Sequence, residues 1–113
     1  IHCGLVGSEM CIRDRGDALE KRVRPLAESV GSNIIIPCDV SSDEAIDETF
    51  NILKDTWETI DFIVHAIAYS DKEELKGEYL DTTRENFFKT MDISVYSFTA
   101  VARRALLATA VKE

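Results

Sequence analysis

The chain has 113 residues, 45% of them hydrophobic and 30% charged, with five Gly and two Pro. That composition belongs to folded globular proteins; it excludes collagen-like and low-complexity classes and allows one domain at most. Thirteen basic against 21 acidic side chains leave a formal charge of −8, the wrong sign for a partner made of nucleic-acid phosphate.

No apolar run approaches the ~18 residues that a membrane span requires. Cys3, Cys11 and Cys38 are odd in number and lack metal-ligand spacing. A disulfide framework and a zinc site are therefore not expected, and a reducing cytoplasm is the expected compartment. Ile1 to Arg15 has neither helical nor strand periodicity and lacks the parts of a signal peptide. Leu5 to Asp14 looks like the in-frame translation of a sequencing-library adapter. Residues 1–15 are accordingly read as a non-native segment, and residues 16–113 as the domain.

From Gly16 the pattern changes. Leu19, Val23, Leu26, Ala27 and Val30 recur at helical intervals, and Gly31 follows where a left-handed residue ends a helix. Asn33 to Cys38 is a short β-branched run, a strand buried on both faces, with Pro37 pointing to a sheet edge. Ser41 with Glu44 forms a capping box for the next helix, whose apolar stripe is Ile46, Phe50, Leu53 and Trp57. Asp61 to Ala68 reads as a second buried strand, and Tyr69 to Asp81 as a loop with one turn of helix. Thr82 with Glu85 caps a last helix running to Ala110. One face of it carries Phe87, Met91, Val95, Phe98, Ala102 and Leu106, and the other is apolar as well. Helices alternating with strands predict a parallel α/β sheet.

Chemistry is sparse. Asp39 ends the first strand at its carboxyl end, where open parallel sheets bind ligands, and its carboxylate can accept from an adenine amino group. The same carboxylate also suits the positive end of the helix that follows. Ala66, Ile67 and Ala68 end the second strand with small residues that permit close approach of a flat ligand, or simply close packing. His65, in so apolar a run, reads as a satisfied core histidine. Tyr69 with Lys76 has a reductase-like spacing but crosses an acidic loop, and Tyr96 is paired at that interval with Arg103, which cannot shuttle protons. Neither is a catalytic pair. The glycine fingerprint of a dinucleotide site, the P-loop and the common hydrolase motifs are absent from these residues.

Taken in order, Gly16 to Glu28, Pro37 to Val40, Val64 to Asp71, Glu74 to Gly77, Thr83 to Phe87 and Met91 to Phe98 closely resemble NADH-dependent enoyl-(acyl-carrier-protein) reductase. That family is a branch of the short-chain dehydrogenase/reductase superfamily acting in fatty-acid elongation. His65 to Ala68 stands where other superfamily members carry Asn-Asn-Ala-Gly, which favours this branch. The resemblance implies NADH as cofactor, an enoyl-acyl-carrier-protein substrate, a homotetramer and a cytoplasmic location. Asp39 and Val40 match the adenine-contacting pair, Ile67 a residue contacting NADH, and Ser70 a position whose backbone borders the enoyl thioester. Arg15 falls where the family has a cofactor-contacting polar residue, but it closes the suspected non-native segment and the role is not carried over. The helix around Ser94 to Ala105 matches one used for subunit packing.

The resemblance also implies what these residues lack: the glycine-rich first turn and the catalytic Tyr with its Lys. The expected fold is a partial Rossmann-like, doubly wound parallel sheet holding strands 3 and 4 with their helices, strands 1 and 2 missing. Native placement then leaves three strand spacings, about 14 Å, without hydrogen bonds. The strands must collapse together, admit the N-terminal segment between them, or leave the gap open. An internal fragment without reductase activity of its own is the expected result. Another short-chain reductase and a nucleotide-binding module without chemistry are the competing readings.

Overall fold

The computed structural model describes residues 2–5, 9–12 and 17–108. Arg15 and the end of the last helix at Ala110 lie outside the described residues. Three strands form one sheet in the order β1-β2-β3: β1 (His2–Leu5), β2 (Glu9–Ile12) and β3 (Ile34–Pro37). β1 and β2 are antiparallel, while β2 and β3 are parallel, with Glu9 opposite Ile34 and Ile12 opposite Pro37. The N-terminal segment lies beside the strand at 33–38, but no strand forms at 61–68 for it to lie between. β3 is an edge strand, as Pro37 requires. Its burial is incomplete: Ile36 is buried, while Ile34 and Ile35 are only half-buried.

Helix α1 (Asp17–Ser29) tolerates Pro25 and ends in a Schellman turn. Gly31, at φ 79°, donates to the Glu28 carbonyl at 3.0 Å, and Ser32 donates to that of Ala27 at 2.8 Å. Val23 and Ala27 are buried, but Leu26 and Val30 are exposed, so the covered stripe is narrower than the periodicity implies. Helix α2 (Asp43–Thr56) buries Ile46, Phe50 and Leu53 and half-buries Trp57, the stripe expected of it.

Helices α3 (Arg84–Met91) and α4 (Ser97–Ala108) are joined by a π-helical turn over Asp92–Tyr96. Both faces of this stretch are apolar in sequence and cover on both sides was expected, but only one of them is covered. Phe87, Met91, Val95, Phe98 and Leu106 are exposed, whereas Asn86, Ile93, Ser97, Ala100, Val101 and Ala105 are buried. Arg104 on α4 reaches two carboxylates of α2, Asp47 at 2.9 Å and Asp43 at 3.2 Å, and so ties the two helices together.

The second expected strand does not form. Residues 61–68 make no regular ladder; only Val64 takes part in an isolated bridge. The backbone is nonetheless strand-like in its alternation: Ile63, His65, Ile67 and Tyr69 face inward, while Phe62, Val64, Ala66 and Ala68 are exposed. Its neighbours are helices: Ile63 and Ile67 pack in the cluster with α2, Ile93 and α4, and His65 bonds to Ser97. The structure is thus α/β, but its parallel pairing runs between β2 and β3, not between the two predicted strands.

Both capping sites shift by one residue. Ser42, not Ser41, caps α2 by accepting from the Ala45 N–H at 3.2 Å, and Thr83, not Thr82, caps α3 by accepting from that of Asn86 at 3.1 Å. In each tandem pair the first hydroxyl is taken by the preceding turn: Ser41 donates to Asp39 and Thr82 to the Tyr79 carbonyl.

One cluster joins β3, α2, the 61–68 segment and α4. Leu53, 2% exposed, sits within it. Leu53→Ala is expected to cost about 2–5 kcal/mol, because the surrounding side chains close only part of the cavity. Urea unfolding followed by circular dichroism measures this directly.

Candidate functional site

Asp39 follows β3 and is held in an Asx-type turn. Its Oδ1 accepts from the Ser41 N–H at 2.9 Å and from the Ser41 hydroxyl at 2.6 Å, and its carbonyl accepts from the Ser42 N–H at 3.0 Å. The carboxylate is thereby fixed in direction at the carboxyl end of a parallel strand, the position from which such sheets hold ligands.

Val40 and Ile67 meet in the same buried cluster, with 3% and 6% exposure. Their side chains are committed to the core, so any contact they make with a ligand runs through the main chain. Ala66 and Ala68, on either side of Ile67, are exposed and small. A flat ligand can therefore come close to the backbone there.

Ser70 belongs to a separate set of contacts, on α3. Its Oγ accepts from Asn86 Nδ2 at 3.0 Å and from the Thr90 hydroxyl at 3.3 Å. Asn86 Oδ1 accepts the Asp71 N–H at 3.0 Å. One residue earlier, the Tyr69 N–H donates to Ser94 Oγ at 3.0 Å, and that hydroxyl lies 3.3 Å from the Tyr69 carbonyl. The Tyr69 hydroxyl donates to Asp71 Oδ1 at 2.8 Å, and Lys89 reaches the same oxygen at 3.0 Å while lying 5.0 Å above the Tyr69 ring. The Asp71 hydrogen bond, first among several causes, holds the Lys89 pKa above its ordinary value.

Beside this network opens a cleft of about 400 Å³. Ser70, Asn86 and Thr90 supply polar groups to its wall, and Leu75, Phe87 and Met91 supply apolar ones. Lys76 is engaged with Glu73 at 3.2 Å and Tyr69 with Asp71, so the two do not act as a pair. Sequence reasoning missed Asn86, Thr90 and Ser94. Their only signal was a recurrence of polar residues at helical spacing opposite the exposed apolar stripe.

His65 is the satisfied histidine the sequence implied. Its Nε2 lies 2.7 Å from Ser97 Oγ, and that hydroxyl donates to the Ile93 carbonyl at 2.6 Å. With the hydroxyl proton used, Nε2 must carry the hydrogen, which makes the ring the donor. Phe98 packs edge-on at 5.5 Å.

The comparisons with known proteins follow this geometry. The family model described as "Enoyl-(Acyl carrier protein) reductase" matches residues 3–112. An enoyl-(acyl-carrier-protein) reductase (NADH) 1 of Rhizobium meliloti is 58% identical over 99 residues, covering 88% of this chain and 36% of that protein. A reductase of the same description from Aquifex aeolicus is 46% identical over 100 residues, covering 88% and 37%. The solved Anaplasma phagocytophilum reductase, in complex with NAD, superposes with a TM-score of 0.79 at 46% identity, over 89% of this chain and 38% of that one. The chain spans little more than a third of the length of these relatives.

Burial holds the His65 pKa below its ordinary 6.5. The unfolded chain then binds the proton more readily than the folded one, so stability is complete above about pH 6.5 and falls as the pH drops below it. His65→Gln, which keeps a donor toward Ser97, is expected to lose less of its melting temperature than the parent between pH 7.5 and 5.5. Differential scanning fluorimetry at the two pH values checks this.

Proposed function

The chain belongs to the enoyl-(acyl-carrier-protein) reductase family, and from that premise we propose that it forms part of an NADH-dependent enzyme reducing the double bond of a trans-2-enoyl thioester in fatty-acid elongation. NADH, when bound, supplies the hydride for the β-carbon of that thioester. The residues present fit such a cofactor. Asp39, steered by Ser41, offers a carboxylate acceptor at the strand end for an amino group. Val40 and Ile67 offer main chain over a rigid core, and Ala66 and Ala68 leave room beside it.

Ser70 and the 400 Å³ cleft are the proposed border of the acyl thioester, with Leu75, Phe87 and Met91 giving an apolar wall suited to an acyl chain. The observation that carries the reading is this coincidence: the fixed carboxylate of Asp39 and the docked Ile67–Ser70 segment occur in a chain 58% identical over 99 residues to a reductase using NADH. Residues 16–113 are proposed as a nucleotide-binding domain of the partial Rossmann type, residues 1–15 as non-native, and the cytoplasm as the site of action. A homotetramer is proposed on the exposed stripe of Phe87, Met91, Val95, Phe98 and Leu106, which asks for cover. Among the described residues no helix is long and apolar enough to cross a membrane.

Residues 17–108 grafted in place of the matching segment of the Rhizobium meliloti enzyme are expected to sustain NADH oxidation with a crotonyl thioester. The 113-residue chain alone is expected to give only the blank rate. In the graft, Asp39→Asn keeps an acceptor for Ser41 but loses the charge. Its KM for NADH should rise between about threefold and tenfold, the increment that charge adds to a hydrogen bond whose neutral part Asn still supplies, with an unchanged melting temperature. An inactive graft, or a KM unmoved by that substitution, counts against the reading.

A further inference from the structure

Asn86 is 4% exposed and uses both ends of its amide on one turn of the neighbouring segment. Its Oδ1 takes the Asp71 N–H at 3.0 Å, and its Nδ2 gives to Ser70 Oγ at 3.0 Å. The residue is itself anchored, since its own N–H donates to the Thr83 hydroxyl, which in turn donates to Glu74 at 2.6 Å. Thr83 also donates its N–H to Glu74 at 3.2 Å. Asn86 thus holds the 69–71 turn with its side chain and the start of α3 with its own N–H, and Thr83 carries the link on to the 3-10 turn of Glu74.

The geometry of the turn needs such a residue. Residues 69–71 lie in no ladder among the described residues, and side chains of the neighbouring helices take the N–H groups of Tyr69 and Asp71. An unsatisfied buried N–H costs about 1–3 kcal/mol. Ser94 answers Tyr69 and Asn86 answers Asp71, and the residue between them, Ser70, is thereby fixed from both sides.

We propose that Asn86 is a positioning residue: it sets the height of the Ser70 main chain against the cleft and so governs how the enoyl thioester is held, without touching NADH. This rests on the functional reading above, and it extends that reading to a residue to which the resemblance assigns no role. Asn is suited to the task because it accepts and donates at once from a short, stiff side chain. Ala can do neither.

The test uses the same complete graft. If the graft is inactive before any further substitution, the functional reading fails, and this proposal falls with it for that separate reason. In an active graft, Asn86→Ala is expected to lower kcat/KM for the crotonyl thioester about tenfold or more, while the KM for NADH stays within about twofold. Equal losses on both substrates for Asn86→Ala, or none, overturn the proposal, because a merely structural residue would not discriminate between them. Residue-level amide exchange in the unsubstituted graft decides the matter if Asn86→Ala fails to fold. The Asp71 amide should exchange more slowly than those of Lys76 and Gly77, and equal rates overturn the anchor.

Discussion

An extended segment that joins no ladder among the described residues is the constraint around which this structure is arranged. Residues 61–68 alternate like a strand, yet they lie in no ladder, and the turn at 69–71 carries main-chain groups that no sheet accepts. Leaving such groups dry and unpaired is expensive enough that folded proteins almost never do so. The remedy lies on the helices. Asn86, Ser94 and Ser97 present an amide and two hydroxyls to Asp71, Tyr69 and His65 in turn. That face combines these polar groups with Ile93, Ala100, Val101 and Ala105, and the stripe of Phe87, Met91, Val95, Phe98 and Leu106 is left outside.

The π turn serves the same end. In an α-helix, adjacent residues diverge by about 100° and cannot both face one neighbour. The widened turn over Asp92–Tyr96 brings consecutive residues closer in direction. Ile93 then fills the core at 1% exposure while Ser94 reaches Tyr69. Four residues on, Ser97 returns its proton to the Ile93 carbonyl and accepts from His65, which ties the turn to the segment it supports.

What could be read from the sequence follows the chemistry of each contact. The stripe of Ile46, Phe50 and Leu53 was legible because α2 packs on apolar side chains, and apolar periodicity is then a true record of the buried face. On α3 and α4 both faces read as apolar: Ala100, Val101 and Ala105 are buried in the core, while the stripe from Phe87 to Leu106 faces solvent, because the 65–71 segment is met from the opposite face by polar side chains. The β-branched run of residues 61–68 announced extended backbone correctly but could not announce whether a partner strand exists, because pairing is a property of the whole sheet. Among the candidate site residues, Asp39 was legible, because its function would need a side chain at a strand end. The parts of Val40 and Ile67 that can face a ligand are main chain, which carries no residue-type signature; the family resemblance alone singled them out. Asn86 lies inside the resembling Thr83–Phe87 stretch, but nothing there gave it a role. A polar residue three positions after a helix cap is ordinary until the segment packed against it is known.

The contacts around the 69–71 turn are unequal, and their exposure decides which of them fixes it. The Lys89–Asp71 pair has the shortest route to an electrostatic account, but its side chains are 39% and 41% exposed. Pairs so wet are typically worth about 0–1 kcal/mol and weaken with salt. Asn86 is almost wholly withdrawn from water, so its bonds face little competition from solvent, and losing one strands a buried group. The same reasoning ranks Arg104 above Lys89, because Arg104 is only 16% exposed while gripping two carboxylates of α2. Neutral buried bonds therefore set where the turn lies, and the surface charges trim its edges. A site built this way holds its shape across ionic strengths, since its geometry is fixed by groups that counter-ions do not reach.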